Sequence, residues 1–256
     1  MRILLTNDDG ILAPGLRALH RAAADLGEIH VVAPWSPQSA AGHSITLHDR
    51  MTAERIEVDG APWGIRVDGR PADCVKLAFK ELVGEPIDLV LSGINHGANV
   101  GINVLYSGTV AAAAEGAILG ARAVAFSQAL GRTAVDYEAS ARRCRAVLDV
   151  LLAGDLGPGH LVAVNLPIQD DGPPVGVRVD RQAVGRIRES YAVQAGEKGR
   201  TWYQLTDGYE YNAPSPDTDV GALHDRYISV TPLHVDLTDT RRLEALRALP
   251  FGEVPL

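Results

Sequence analysis

Ile3-Leu4-Leu5-Thr6-Asn7-Asp8-Asp9-Gly10 stands at the head of the chain, and the fold follows from how it is read. Ile3 to Thr6 is an unbroken apolar run rather than an alternation, as expected of a strand covered on both faces. Asn7-Asp8-Asp9-Gly10 sits at its carboxyl end. A helix is predicted next, from Pro14 to Leu26: proline suits the first turn, Gly27 the stop, and Leu16, Leu19, Ala23 and Leu26 share one face. The same alternation continues outward. Strands are expected at Ile29–Ala33, Asp88–Leu91, Ala123–Ser127 and Leu161–Leu166. Helices are expected at Pro71–Leu82, at the alanine-rich Thr109–Leu119 and at Tyr137–Leu152, where Cys144, Val147, Leu148 and Leu151 share a face. Residues 45–68 read as irregular β structure with turns. Apolar strands in βαβα order predict a doubly wound α/β fold with a mainly parallel sheet.

The texture changes near residue 180. Residues 181–218 are polar, glycine-containing and weakly periodic, followed by a strand at Arg226–Thr231 and a short helix and tail after Thr238. The expected division is therefore 1–180 for a catalytic domain and 181–256 for a β-rich C-terminal region. A segment that cannot build its own core packs on something else, and a partner subunit is one candidate.

The 256 residues suit one large domain and carry a formal net charge of −8. That acidity argues against a protein that grips polymeric nucleic acid, which shows a basic face. The two cysteines, Cys74 and Cys144, form neither a disulfide framework nor a zinc spacing. No run reaches the ~18 apolar residues of a membrane span, since Glu115 interrupts the best one. The short apolar run before Asn7 is no signal peptide. The expectation is a cytoplasmic protein without membrane contact.

Three clusters carry chemistry, each at the carboxyl end of a strand, where open α/β sheets bind ligands. In the first, Asp8 and Asp9 repel one another unless a cation lies between them; a solvated turn is the plain alternative. The second is the small-residue loop Pro34–Ser44, where Ser39 offers a hydroxyl. The third is Ser92-Gly93-Ile94-Asn95-His96-Gly97-Ala98-Asn99-Val100-Gly101, with glycines that allow close approach of a ligand and two asparagines between them. Ser107-Gly108-Thr109 then opens a helix, and such a start presents N–H groups that suit phosphate; capping by Ser107 or Thr109 is compatible with that. His43 and His96 lie in these loops, where solvated side chains are the default. Neither a Walker loop nor a dinucleotide fingerprint is present. Brought together, Asp8, Asp9, Ser39 and Asn95 make an all-oxygen set suited to Mg²⁺ or Mn²⁺. A metal beside a phosphate-binding helix start points to phosphoryl chemistry.

These residues resemble the SurE family of metal-dependent 5′-nucleotidases. The motifs are Asn-Asp-Asp-Gly at 7–10, Ser39, Ser-Gly-Ile-Asn-x-Gly-x-Asn-x-Gly at 92–101, Tyr-Ser-Gly-Thr-Val at 106–110, Glu115-Gly116, Thr218-Asp219 and Tyr227–Leu233. The resemblance implies a Rossmann-like N-terminal part and a divalent metal, one per subunit, on Asp8, Asp9, Ser39 and Asn95; either Asp8 or Asp9 is then placed to assist the attacking water, with direct attack by Asp8 as the alternative. The resemblance implies hydrolysis of nucleoside 5′-monophosphates, with 3′-nucleotides and short polyphosphate as further substrates; the phosphate is then expected on the backbone N–H groups of Ser107, Gly108 and Thr109 at the helix start, with Asn99 beside them. It also implies a homodimer or homotetramer with a projecting hairpin near 186–212. Two rivals stay open: a cofactor-using or nucleotide-sugar α/β enzyme, and a sensor that binds metal or nucleotide without hydrolysis.

Overall fold

The computed structural model describes residues 1–154, 156–185, 190–207 and 215–251. The chain starts with β1 (Arg2–Thr6), α1 (Pro14–Ala23) and β2 (Glu28–Pro34). The hairpin β3 (Ala53–Val58) and β4 (Ala61–Val67) leads into α2 (Pro71–Leu77). Then β5 (Leu89–His96), α3 (Gly108–Ile118), β6 (Arg122–Gln128), α4 (Tyr137–Ala153) and β7 (Leu161–Leu166) alternate. Beyond them come β8 (Gly176–Val179), β9 (Ser190–Ala195), β10 (Thr201–Asp207), α5 (Asp219–His224), β11 (Tyr227–Leu233) and α6 (Thr240–Arg247).

Nine strands form one sheet in the order β3-β4-β2-β1-β5-β6-β7-β11-β8. The run β4-β2-β1-β5-β6-β7 is parallel throughout. β3 is an antiparallel edge, β11 is antiparallel to β7, and β8 is parallel to β11. The predicted mainly parallel α/β fold is thus the one observed. The chain leaves β1 toward β2 on one side and returns as β5 on the other. Between β1 and β5 the winding reverses, and the crevice outside their carboxyl ends is where such sheets take ligands. β9 and β10 form a separate antiparallel pair. Of the hairpin expected near 186–212, residues 186–189 and 208–212 lie outside the described residues.

Period-two alternation sorts the apolar strands onto two cores. Ile3, Leu5, Leu89, Leu91, Val124 and Phe126 face α1 and α4, with Leu16, Leu19, Cys144 and Leu148 among their partners. Leu4, Val90, Ala123 and Ala125 face the other way, onto Cys74, Val75 and the alanines of α3. Alanine is there for proximity: a Cβ on Gly116 would stand 2.5 Å from Val90 Cγ2 and 2.8 Å from Val90 Cβ. Among the described residues no helix is long and apolar enough to cross a membrane.

Several bounds differ from expectation. α1 stops at Ala23. The helix predicted to Leu82 is α-helical to Leu77 and widens into a π turn over Ala78–Leu82. The strand expected to end at Leu91 runs on to His96 through an irregularity between Ser92 and Asn95. Gly93 makes this possible: its φ is +132°, and a Cβ there would meet Phe126 O at 2.3 Å. Bulges of this kind re-aim side chains beside active sites. The irregular stretch 45–68 contains the β3-β4 hairpin, while β8 and α5 had no counterpart in the sequence reading.

Gly116→Ala tests the seating of α3. Helix propensity alone would stabilise it by about 1 kcal/mol, but Val90 Cβ is fixed by its strand and cannot yield. Overpacking of this kind costs about 1–3 kcal/mol. The variant is therefore expected to unfold at lower urea concentration than the parent; a higher midpoint would show that α3 does not press on β5.

Candidate active site

The site begins where β1 ends. Asn7 Nδ2 donates to Gly10 O at 2.9 Å, and Gly10 takes a φ of +98°, so the chain turns sharply after the two acids. Asp8 is buried against the start of α3, where the Thr109 hydroxyl donates to its Oδ1. Gly108 lets it lie there: a Cβ on Gly108 would stand 2.8 Å from Asp8 Cβ and 2.9 Å from Oδ2. Burial pushes the Asp8 carboxyl up to about 6; hydrogen bonds from Thr109 pull it down and the Asp9 charge adds to the rise. Asp9 is also raised, first by burial, against the lowering effect of His96, whose N–H donates to Asp9 Oδ2 at 2.9 Å. Two carboxylates, both held out of water, destabilise each other's charge.

Asp8, Asp9, Ser39 and Asn95 line one cavity of about 530 Å³. Asn95 Nδ2 donates to Gly97 O at 2.8 Å, which leaves Oδ1 as its acceptor for anything placed in the cavity. Ser39 arrives on a loop in which Ala40 (φ 55°) and Gly42 (φ 55°) adopt left-handed backbone, an uncommon conformation for alanine. That loop is held from several sides. Gln38 N donates to Asp8 O at 2.7 Å, Gly42 N to Tyr106 O at 2.9 Å, and Arg70 Nη1 to Gln38 Oε1 at 2.7 Å. Among the described residues no three His, Cys, Asp or Glu side chains gather in a way that could hold a metal. The set that converges here has two carboxylates, a hydroxyl and an amide oxygen, which is the donor chemistry of Mg²⁺ or Mn²⁺.

The four residues expected at the phosphate divide into two pairs. Asn99 and Ser107 line the cavity. Asn99 Nδ2 donates to Ser127 Oγ at 2.8 Å and its N–H to Asn165 Oδ1 at 2.7 Å, so the side chain is fixed with one amide hydrogen uncommitted. Ser107 caps α3 by accepting from Val110 N at 3.0 Å, and its own N–H donates to Asn103 O at 3.0 Å. Its hydroxyl proton, not its N–H, is what it can offer. Gly108 and Thr109 are not among the residues that line the cavity: Gly108 packs against Asp8, and the Thr109 hydroxyl donates to Asp8 Oδ1.

The structure gives supporting roles to two motif residues, Glu115 and Asp219, and to two that no motif marked, Asn165 and Gln182. Asn165, at the end of β7, accepts from Asn99 N–H and donates to Asn99 O at 3.2 Å. Asp219, buried at the start of α5, accepts from Gly101 N at 2.8 Å, Ala183 N at 2.9 Å and Val220 N at 2.8 Å. Gln182 Nε2 donates to Gly101 O at 2.7 Å. Glu115, buried within α3, lies 2.9 Å from His43 Nε2 and accepts from Lys76 Nζ at 2.8 Å. Burial acts to raise Glu115, but His43 and Lys76 outweigh it and hold the carboxyl below its ordinary value. His43 is thus a loop anchor, and His96 lines the cavity with Nδ1 2.8 Å from Tyr137 OH. Of the four supporting residues, Glu115 and Asp219 stand in the motifs Glu115-Gly116 and Thr218-Asp219, while Asn165 and Gln182 carry no signal.

Residues 3–189 match the family model described as "Survival protein SurE". The "5′-nucleotidase SurE" of Desulforudis audaxviator is 46% identical over 98% of this chain and 98% of its own. That of Moorella thermoacetica is 42% identical over 97% of this chain and 95% of its own. The crystal structure of the SurE protein from Aquifex aeolicus superposes with a TM-score of 0.81 at 35% identity, covering 96% of this chain and 98% of the other. On this evidence, carried by motif order, fold and near-complete coverage alike, the chain belongs to the SurE family.

Proposed function

We propose that this protein is a 5′-nucleotidase that uses one Mg²⁺ or Mn²⁺ per subunit to hydrolyse nucleoside 5′-monophosphates to nucleoside and phosphate. The observation that carries this is the meeting of Asp8, Asp9, Ser39 and Asn95 on one cavity beside the start of α3, in a chain whose relatives bear the name 5′-nucleotidase SurE. Their donor set fits a hard divalent cation, and two adjacent carboxylates, both disfavoured first by burial, gain from a cation placed between them. Such a cation supplies charge neutralisation and Lewis acidity at the phosphate.

The chain's own groups have separable roles. Asp8, fixed by Thr109, is the anchored ligand. Asp9 is less buried and held through one oxygen by His96 N–H, so its other oxygen takes the proton of the attacking water. Asn99 and the Ser107 hydroxyl donate to the phosphate. The P–O5′ bond then breaks and the nucleoside oxygen takes up a proton from solvent. Nothing in this scheme reads the 5′ position alone, which extends it to 3′-nucleotides and short polyphosphate. The protein works as a homodimer or homotetramer: the exposed Val193, Trp202 and Tyr203 of β9 and β10 are apolar surface of the kind that partners cover.

Four outcomes are expected. Chelation abolishes AMP hydrolysis and Mg²⁺ or Mn²⁺ restores it, as read by phosphate release; a sensor would bind AMP and leave it intact. Asp8→Asn keeps the shape and removes a charge. It should lose at least the roughly 10–100-fold in metal affinity or activity that a damaged metal site loses, as read by calorimetric titration and turnover. Without metal the same variant should be the more stable protein at neutral pH. A carboxyl raised from 3.8 to about 6 favours folding below pH 4, and that contribution is lost as pH rises through 6. The variant's advantage should therefore grow between pH 4 and 6 to about 3 kcal/mol at most, read from urea midpoints; an advantage independent of pH would contradict the assignment. Finally, light scattering at micromolar concentration should give the mass of a dimer or tetramer, and a monomer would remove the assembly from the proposal.

A further inference from the structure

A cavity of about 530 Å³ is larger than a phosphate requires, and its far wall is of a different character. Beyond the acids, amides and hydroxyls at the strand ends, it is closed by Tyr106 and by two side chains of the β9-β10 pair, Tyr191 and Leu205. Tyr191 and Leu205 stand directly opposite each other in the strand register, so they project from the same face of the ribbon and form one contiguous surface. They are 59% and 48% exposed, and Tyr106 is 52% exposed. An isolated two-stranded ribbon cannot bury such side chains by itself. Here the ribbon presents them to the cavity that holds the phosphate chemistry.

We propose that Tyr191 and Leu205, together with Tyr106, form the nucleobase subsite, in which the base of the nucleotide stacks on an aromatic and aliphatic wall. The subsite rests on the nucleotidase reading and adds to it the means by which the enzyme prefers a nucleotide to a simple phosphomonoester. An aromatic ring offers its face to any base, since every base has a π-face. Neither the ring faces nor Leu205 carries a charge or an amide to read a base edge. Recognition is therefore by flat apolar area: purine nucleotides are preferred to pyrimidine nucleotides, with little distinction between AMP and GMP. Placing the subsite on a ribbon outside the main sheet separates it from the acids, so changes in it alter substrate choice without touching the metal ligands.

The test compares AMP with ribose 5-phosphate, which keeps sugar and phosphate and lacks the base, in the full-length protein with Mn²⁺. Base stacking on an aromatic side chain contributes roughly 5- to 150-fold. Tyr191→Ala should lower the ratio of kcat/KM for AMP over ribose 5-phosphate by that order, mainly through KM for AMP, whereas Tyr191→Phe should keep the ratio. Calorimetric titration with adenosine, which needs no hydrolysis, should show weaker binding to the Ala variant alone. An unchanged ratio and unchanged adenosine affinity in Tyr191→Ala would overturn the subsite, as would a Phe variant that behaves like Ala. If the parent protein hydrolyses neither ester, the phosphatase reading falls, and the adenosine titration still decides the subsite.

Discussion

The burial of the Asp8 carboxylate against the first turn of α3 is the constraint from which most of the local architecture follows. A charge removed from water needs compensation, and here it comes from the Thr109 hydroxyl and the positive end of a helix. For that end to reach the carboxylate, residue 108 has to be glycine, and α3 has to lie close to the sheet. The same proximity explains the alanines facing the second core and the glycine over Val90. The small residues of α3 are thus a packing requirement set by a charge at the end of β1. Helix propensity is satisfied along the way.

Around this point the loops at the strand ends are tied to one another rather than left to solvent. Asn165 holds both backbone groups of Asn99, Ser127 holds its amide, and Asp219 with Gln182 holds both sides of Gly101. On the opposite side Glu115 ties the Ser39 loop to α2 and α3 through His43 and Lys76. Buried polar groups satisfied this fully rigidify what they connect. Asp219 and Gln182 come from beyond residue 180, and β11 lies inside the main sheet next to β7. The C-terminal region therefore supports the site as well as extending from it.

The parallel sheet was legible because strands buried on both faces write themselves as apolar runs, and the three clusters were legible because they sit where those runs end. What could not be read depends on distance along the chain. The Thr109–Asp8 bond spans 101 residues and the Asp219–Gly101 bond 118, and nothing local in either partner announces the other. Gly108 reads as part of a helix start suited to phosphate, and the contact that its missing side chain allows, with Asp8, lies 100 residues away along the chain. β8 alternates half-buried and exposed residues over four positions beside an edge, too short a pattern to separate from the polar stretch around it. α5 is six residues long, too short for an apolar period to announce it, although Thr218-Asp219 at its start is one of the motifs. The continuation of β5 to His96 was hidden because glycine at position 93 resembles a strand stop, whereas it supports a bulge.

The electrostatics of the cavity give the metal reading a further argument. Among the described residues that line it, two are carboxylates and none is Lys or Arg, in a chain whose net charge is −8. The start of α3 already meets Asp8 through the Thr109 hydroxyl. A phosphate dianion brought to such a wall meets repulsion from Asp9, and the amide of Asn99 and the hydroxyl of Ser107 offer neutral hydrogen bonds that do not offset it. A divalent cation on Asp8, Asp9, Ser39 and Asn95 reverses that sign, so affinity for phosphate and affinity for metal are two sides of one coupling free energy. Coupling of this kind is reciprocal: whatever the cation adds to nucleotide binding, the nucleotide adds to retention of the cation. An acidic protein can in this way act on an anionic substrate with no Lys or Arg among the described residues that line the cavity.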